Sequence, residues 1–130
     1  MGMNYLWDTN TAIYYLQQQF SVKAEKYIDG LLMTNKVSFS SISEIELLCW
    51  KNSTPKDLEV LNDFIKDAHV FELEKSVRLK TVEIRKLYKI KLPDAIIAAT
   101  AMTNNLTLLS RNFSDFKQID GLNLINPWEQ

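Results

Sequence analysis

A chain of 130 residues, 46% hydrophobic and 24% charged, has the length and balance of one globular domain with a core of its own. Its net charge of −1 excludes a protein that grips nucleic acid through bulk positive charge and leaves room only for a local basic patch. One cysteine, Cys49, excludes an internal disulfide and reads as a small core residue; one histidine, His69, excludes a multi-histidine zinc site or a histidine-based triad.

In chain order, short apolar runs alternate with amphipathic ones. Residues 3–7 read as a strand, ended by the helix-capping cluster Asp8-Thr9-Asn10-Thr11. Helices are predicted over 12–18 and 22–33, a strand over 37–40 and a helix over 42–50. Ser53-Thr54-Pro55, followed by Asp57 and Glu59, marks a helix start running to about Lys66. A strand over 69–73, a long helix over 74–88, a helix over 92–103 and a strand over 106–109 follow. Residues 111–115 read as a loop and 122–125 as a last strand. This succession predicts an α/β domain spanning 1–130, with a mostly parallel central sheet of 4–5 strands flanked by helices. With three glycines, the chain lacks a Gly-rich phosphate loop. No apolar run approaches the roughly 18 residues of a membrane span and no signal-peptide pattern opens the chain, so a cytoplasmic protein is expected. Met1-Gly2 is rejected as a myristoylation start because Leu6 stands where Ser or Thr is wanted.

Four acids stand out by position. Asp94 shares a helix face with Ile97, Ala98 and Ala101, the face expected to pack inward, where a carboxylate is costly unless a cation compensates it. It also suits a plain helix N-terminus. Asp8 follows the first strand and Asp115 follows the strand over 106–109, and ligands of parallel sheets bind beyond such carboxyl ends. Asp8 equally suits an N-cap, and Asp115 a turn in which Asn112 and Ser110 are near neighbours able to take its place. On the helix over 42–50, Ile42, Ile45, Leu48 and Cys49 define an apolar face; Glu46 falls near its edge and Glu44 toward solvent, which selects Glu46. Four acids brought to one place repel one another without cations between them. With no histidine or thiol beside them, they favour a hard ion such as Mg²⁺ or Mn²⁺ and phosphoryl chemistry on a metal-activated water.

The segments Tyr5-Leu-Trp-Asp-Thr-Asn10, Ser40-Ser-Ile-Ser-Glu-Ile-Glu-Leu47, Leu92-Pro-Asp-Ala-Ile-Ile-Ala98 and Leu109-Ser-Arg-Asn-Phe-Ser-Asp-Phe116 occur in the order seen in PIN-domain nucleases. The chain resembles that family over nearly its whole length, and within it the VapC-type toxins of toxin–antitoxin pairs. The resemblance implies a metal-dependent endoribonuclease with Asp8, Glu46, Asp94 and Asp115 as its acidic site. It implies Thr9, Asn10, Ser110 and Asn112 as supporting residues, with Asn112 competing for the fourth place. It further implies an RNA substrate, a VapB-like antitoxin whose C-terminal segment covers the site and a nearby apolar groove, and a homodimer. Tyr14, Tyr15, Phe20 and Trp50 are candidates to line that groove, or are plain core. Lys86, Lys89, Lys91 and Arg111 flank two of the acids and are candidate phosphate contacts, or a solvated face. Two rivals are a haloacid-dehalogenase-like phosphatase with Asp8 as nucleophile, which wants an acid where Asn10 stands, and a noncatalytic PIN-fold binding module.

Overall fold

In the computed structural model, the apolar runs become five short strands, every pairing of them parallel, separated by helices. The structure describes residues 4–51 and 54–130; Met1, Gly2, Met3 and Ser53, to which expectations were attached, lie outside the described residues. The order is β1 (Tyr5–Trp7), α1 (Thr9–Leu16), α2 (Val22–Leu32), β2 (Ser38–Ser40), α3 (Ser41–Leu48), α4 (Pro55–Asp67) and β3 (His69–Phe71). Then come α5 (Lys75–Leu87), α6 (Leu92–Thr103), β4 (Thr107–Leu109), α7 (Phe113–Phe116), β5 (Leu124–Ile125) and a 3₁₀ turn over Pro127–Glu129.

The strands divide into two ladders, β1-β4-β5 and β2-β3, rather than one continuous sheet. A side chain joins them: the buried Ser38 hydroxyl donates to the Tyr5 carbonyl at 2.6 Å. Strands of three residues offer few backbone groups to a neighbour, and here a serine supplies the cross-link.

Alternation along the strands separates two cores. On one side, Leu6 and Leu108 pack with Val77 and Ile84 of α5 and with Ile97 and Ala98 of α6. On the other, Trp7 and Leu109 pack with Ala12, Ile28, Phe39, Leu47 and Leu61 from α1 to α4. Phe64 of α4 stacks on Phe39, ring centroids 5.9 Å apart, and Tyr15 meets Trp7 edge-on at 5.4 Å.

Local chemistry sets the helix starts. Ser21 caps α2 by accepting from the Ala24 N–H, and Thr54 and Asp57 form a reciprocal capping box with Pro55 in the first turn of α4. Pro93 stands in the first turn of α6, where its missing N–H costs nothing. Every residue of α6 from Ala95 to Ala101 is buried, so the helix is enclosed rather than one-faced. Its alanines allow close approach to α5, and the Thr100 hydroxyl satisfies itself on the Ile96 carbonyl at 2.7 Å.

Three expectations are corrected. Residues 113–116 form a short helix, α7, where a loop was expected; Ser110, Asn112 and Asp115 bond to one another through it. Helix α3 buries Ser43 and Leu47, whereas Ile45 and Leu48 are 55% and 50% exposed. Cys49, expected in the core, is exposed for the same reason. Apolar spacing marks a surface that wants a cover, and within this chain α3 is covered on its other side, by α1, α6 and β2.

If α6 is packed as closely as its alanines suggest, Ala99→Leu overfills the core. Unfolding in urea should show a loss of about 1–3 kcal/mol. An unchanged midpoint would contradict the close packing.

Candidate active site

Parallel pairing decides where the acids go. Tyr5-Leu6-Trp7 registers against Thr107-Leu108-Leu109, so Asp8 and Ser110 leave their strands side by side at one edge. The Asp8 N–H extends the ladder by donating to the Leu109 carbonyl at 3.2 Å. Its carboxylate is buried and both oxygens are engaged. Oδ1 accepts from the Thr11 N–H at 2.8 Å, capping α1, and Oδ2 accepts from the Ser110 hydroxyl at 2.5 Å. The capping and site readings of Asp8 are therefore one arrangement: the cap points the carboxylate at the cleft.

That cleft, about 390 Å³, is lined by Asp8, Glu46, Asp94 and Asp115 together with Thr9, Asn10, Asn112 and Lys91, over a floor that includes Ile13, Pro93 and Ile97. The four acids come from the β1–α1 junction, α3, α6 and α7. Thr9 Oγ1 donates to Glu46 Oε1 at 2.6 Å and lies 2.9 Å from the buried Ser43 hydroxyl. Asn112 Nδ2 donates to Asp115 Oδ2 at 3.0 Å, and Ser110 Oγ accepts from the Asn112 N–H at 2.9 Å. Asn112 and Asp115 thus both reach the cleft, the amide holding the carboxylate. Glu44 does not line it, nor does Lys89, whose carbonyl instead accepts from Gln118.

Ser43 was missed by sequence reading. A serine three residues before Glu46 on α3 was the available signal, because residues at that spacing share a face.

The acids act on one another. Burial pushes the Asp8 carboxyl above its ordinary value against the pull of Ser110 and Thr11, and Glu46 adds to the rise. The Asp94 carboxyl is raised first by burial, then by the charges of Asp115, Asp8 and Glu46, with Lys91 opposing. Among the described residues no three acidic, histidine or cysteine side chains already converge on one ion-sized point. The acids ring a cavity, Asp8, Glu46 and Asp115 each held by hydrogen bonds and Asp94 by its enclosed helix. All the polar side chains at its wall are oxygen or amide groups apart from Lys91, a donor set suited to a hard cation.

The PIN-domain family profile matches residues 5–122. The chain belongs to the PIN-domain family. No curated protein matches it by sequence. Among solved structures it is similar to DNA-bound VapBC from Salmonella typhimurium at 22% identity, covering 97% of this chain and 99% of that one with a TM-score of 0.82. It is also similar to VapBC2 from Rickettsia felis bound to a promoter DNA fragment, at 24% identity, 94% and 97% coverage and a TM-score of 0.80. A toxin–antitoxin complex from Klebsiella pneumoniae matches at 27% identity, 95% and 97% coverage and a TM-score of 0.75. PIN membership agrees with the resemblance carried by the four sequence segments.

Raised carboxyls have a sign. A group whose pKa rises on folding contributes stability below its unfolded value, near 3.8 for Asp94, and loses it as pH climbs through the folded value. Asp94→Asn removes that loss, so the metal-free variant should melt a few degrees above wild type at pH 7. The gap should close toward pH 4. A variant that melts lower at pH 7 would contradict the repulsion.

Proposed function

We propose that this protein is a Mg²⁺- or Mn²⁺-dependent endoribonuclease, the toxin of a toxin–antitoxin pair. One observation carries the reading: four carboxylates from four separated segments line a single cleft, and burial together with mutual repulsion raises two of them. Such an arrangement is costly by itself and is relieved by divalent cations. Asp8, Glu46, Asp94 and Asp115 would hold the metal, each kept in place by its own support: Thr11 and Ser110, Thr9, the enclosed helix α6, and Asn112. A bound divalent ion supplies charge to grip the phosphate, activate water and stabilise the leaving oxygen. Lys91, at the N-cap of α6, and Arg111, two residues past β4, flank the acids and would contact neighbouring phosphates of the RNA.

PIN-family membership supports a nuclease over a noncatalytic module, as does the presence of all four acids at one cleft. The test is RNA cleavage. Wild type should cleave with Mg²⁺, chelator should stop it, and Asp94→Asn should fall to background. Ser110→Ala, which frees Asp8 Oδ2, should weaken apparent metal affinity about 10–100-fold. Equal cleavage by wild type and Asp94→Asn, or cleavage indifferent to chelator, would sink the proposal.

The likeness to toxin–antitoxin complexes supports an antitoxin partner. Tyr15 and Phe20 line a cavity of about 530 Å³ with Leu16 and Val60, rimmed by Glu25 and Asp29. Trp50 lines the adjoining one with Val60 and Leu61. Tyr14, a candidate from sequence for this groove or for the core, instead lines the cleft beside the acids and meets Arg111. The groove suits an apolar segment carrying basic residues, and the uncovered Ile45 and Leu48 of α3 fit the same reading. A homodimer belongs with it, supported by Leu79 and Val82, exposed one turn apart on α5. In the described residues no helix is long and apolar enough to cross a membrane, and we place the action in the cytoplasm on the toxin reading. Val60→Asp should weaken binding of a cognate antitoxin at least about tenfold by titration while leaving RNA cleavage in place. Undiminished binding would remove this groove from the interface.

A further inference from the structure

Beside the acidic cleft lies a smaller one of about 340 Å³, lined by Asp8, Asn10, Tyr14, Arg111 and Asn112. Parallel pairing puts it there. The Ser110 N–H donates to the Ile125 carbonyl at 3.0 Å, so Arg111 and the 3₁₀ turn over Pro127–Glu129 emerge together at the edge that carries the acids. The buried Asn126 fixes that turn by accepting from the Trp128 N–H at 3.0 Å.

Three aromatic rings then build a wall. Trp128 meets Tyr14 edge-on at 5.0 Å and Phe20 at 4.9 Å. The Arg111 guanidinium carbon sits 5.0 Å from the Trp128 ring centroid and 5.9 Å from that of Tyr14. Arg111 is exposed, and though it shares this cleft with Asp8 it forms no ion pair among the described residues, where Lys80–Glu83 is the one present. A guanidinium free to swing would fall onto the acids and neutralise them. Stacked on two rings, it is held off them while its N–H groups stay available.

We infer that Trp128 and Tyr14 are positioning residues that hold Arg111 as a binding subsite for the RNA phosphate adjoining the one cleaved. This rests on the ribonuclease reading above. A planar, five-donor cation suits a phosphate bidentately. A protein segment entering this place would have to satisfy the acids with basic groups, and Arg111 would repel it. A polyanion carrying divalent ions matches both signs at once. With Lys91 on the α6 side of the acids and Arg111 on the β5 side, the substrate backbone crosses the cleft between two cations.

The test uses the full chain in a cleavage-disabled Asp94→Asn background and a fluorescently labelled, mixed-sequence single-stranded RNA. Anisotropy titrations over a range of KCl concentrations give affinity and salt slope. Arg111→Ala should weaken binding about tenfold and flatten the slope by about 0.7, one phosphate contact on a single strand. Trp128→Leu keeps an apolar side chain but loses the π-face, and should show the same loss; Trp128→Phe, which is also smaller than tryptophan but keeps an aromatic face, should restore most of it. Trp128→Leu should add nothing once Arg111 is alanine. In the cleaving protein the loss from Arg111→Ala should fall on KM rather than kcat. RNA binding indifferent to Arg111→Ala would overturn the subsite, as would a full further loss from Trp128→Leu on top of it. Intact RNA binding with loss of a protein partner would reassign the cluster to that partner. Absence of any RNA binding by the Asp94→Asn parent would instead sink the ribonuclease reading itself.

Discussion

The contact between Asp8 and Ser110 is the point on which the site depends. It exists because β1 and β4 run parallel in fixed register, which brings two strand ends to one edge. One residue of slip would turn Leu6 and Trp7 to the wrong cores and separate the serine from the carboxylate. The same carboxylate starts α1, so strand pairing, helix capping and site geometry are satisfied by two oxygens of one side chain. A short sheet can position a site this firmly because its edge is tied down by side chains as well as by the ladder: Ser38 to Tyr5, Thr11 to Leu109, Ser110 to Asp8.

Electrostatic tension follows from that firmness. Asp8 cannot move away from its neighbours, and Asp94 is fixed by a helix buried from Ala95 to Ala101. Their raised carboxyls record energy the fold forgoes when the acids are charged and uncompensated. Stability given up at one cleft is what the proposed divalent cation would offset. Among the described residues no buried polar side-chain atom lacks a hydrogen-bond partner.

The second uncompensated feature is apolar. Helix α3 turns Ser43 and Leu47 inward and leaves Ile45 and Leu48 outside. Acids short of a cation and aliphatic side chains short of a cover lie at opposite margins of the same helix. A partner seated on the aliphatic side chains fits the antitoxin proposal.

From the sequence alone, the elements and the family were legible. Period-two and period-3.6 spacing placed the strands and long helices to within a few residues, and α6 ends where expected, at Leu92 and Thr103. Asp8, Asp94 and Asp115 could be singled out from strand ends and a helix face, and Glu46 from the ordered motifs. The apolar face of α3 used to choose Glu46 over Glu44 is the exposed one, with Glu44 half-buried and Glu46 exposed. Only tertiary structure decided which side of α3 is buried, that residues 113–116 close into a helix, and that Tyr14 leaves the groove to join Arg111 and Trp128. The reason is physical. Spacing along a chain shows which side chains share a face. Which face is covered, and by what, depends on elements distant in sequence, as Arg111 and Trp128 are until β4 and β5 lie side by side.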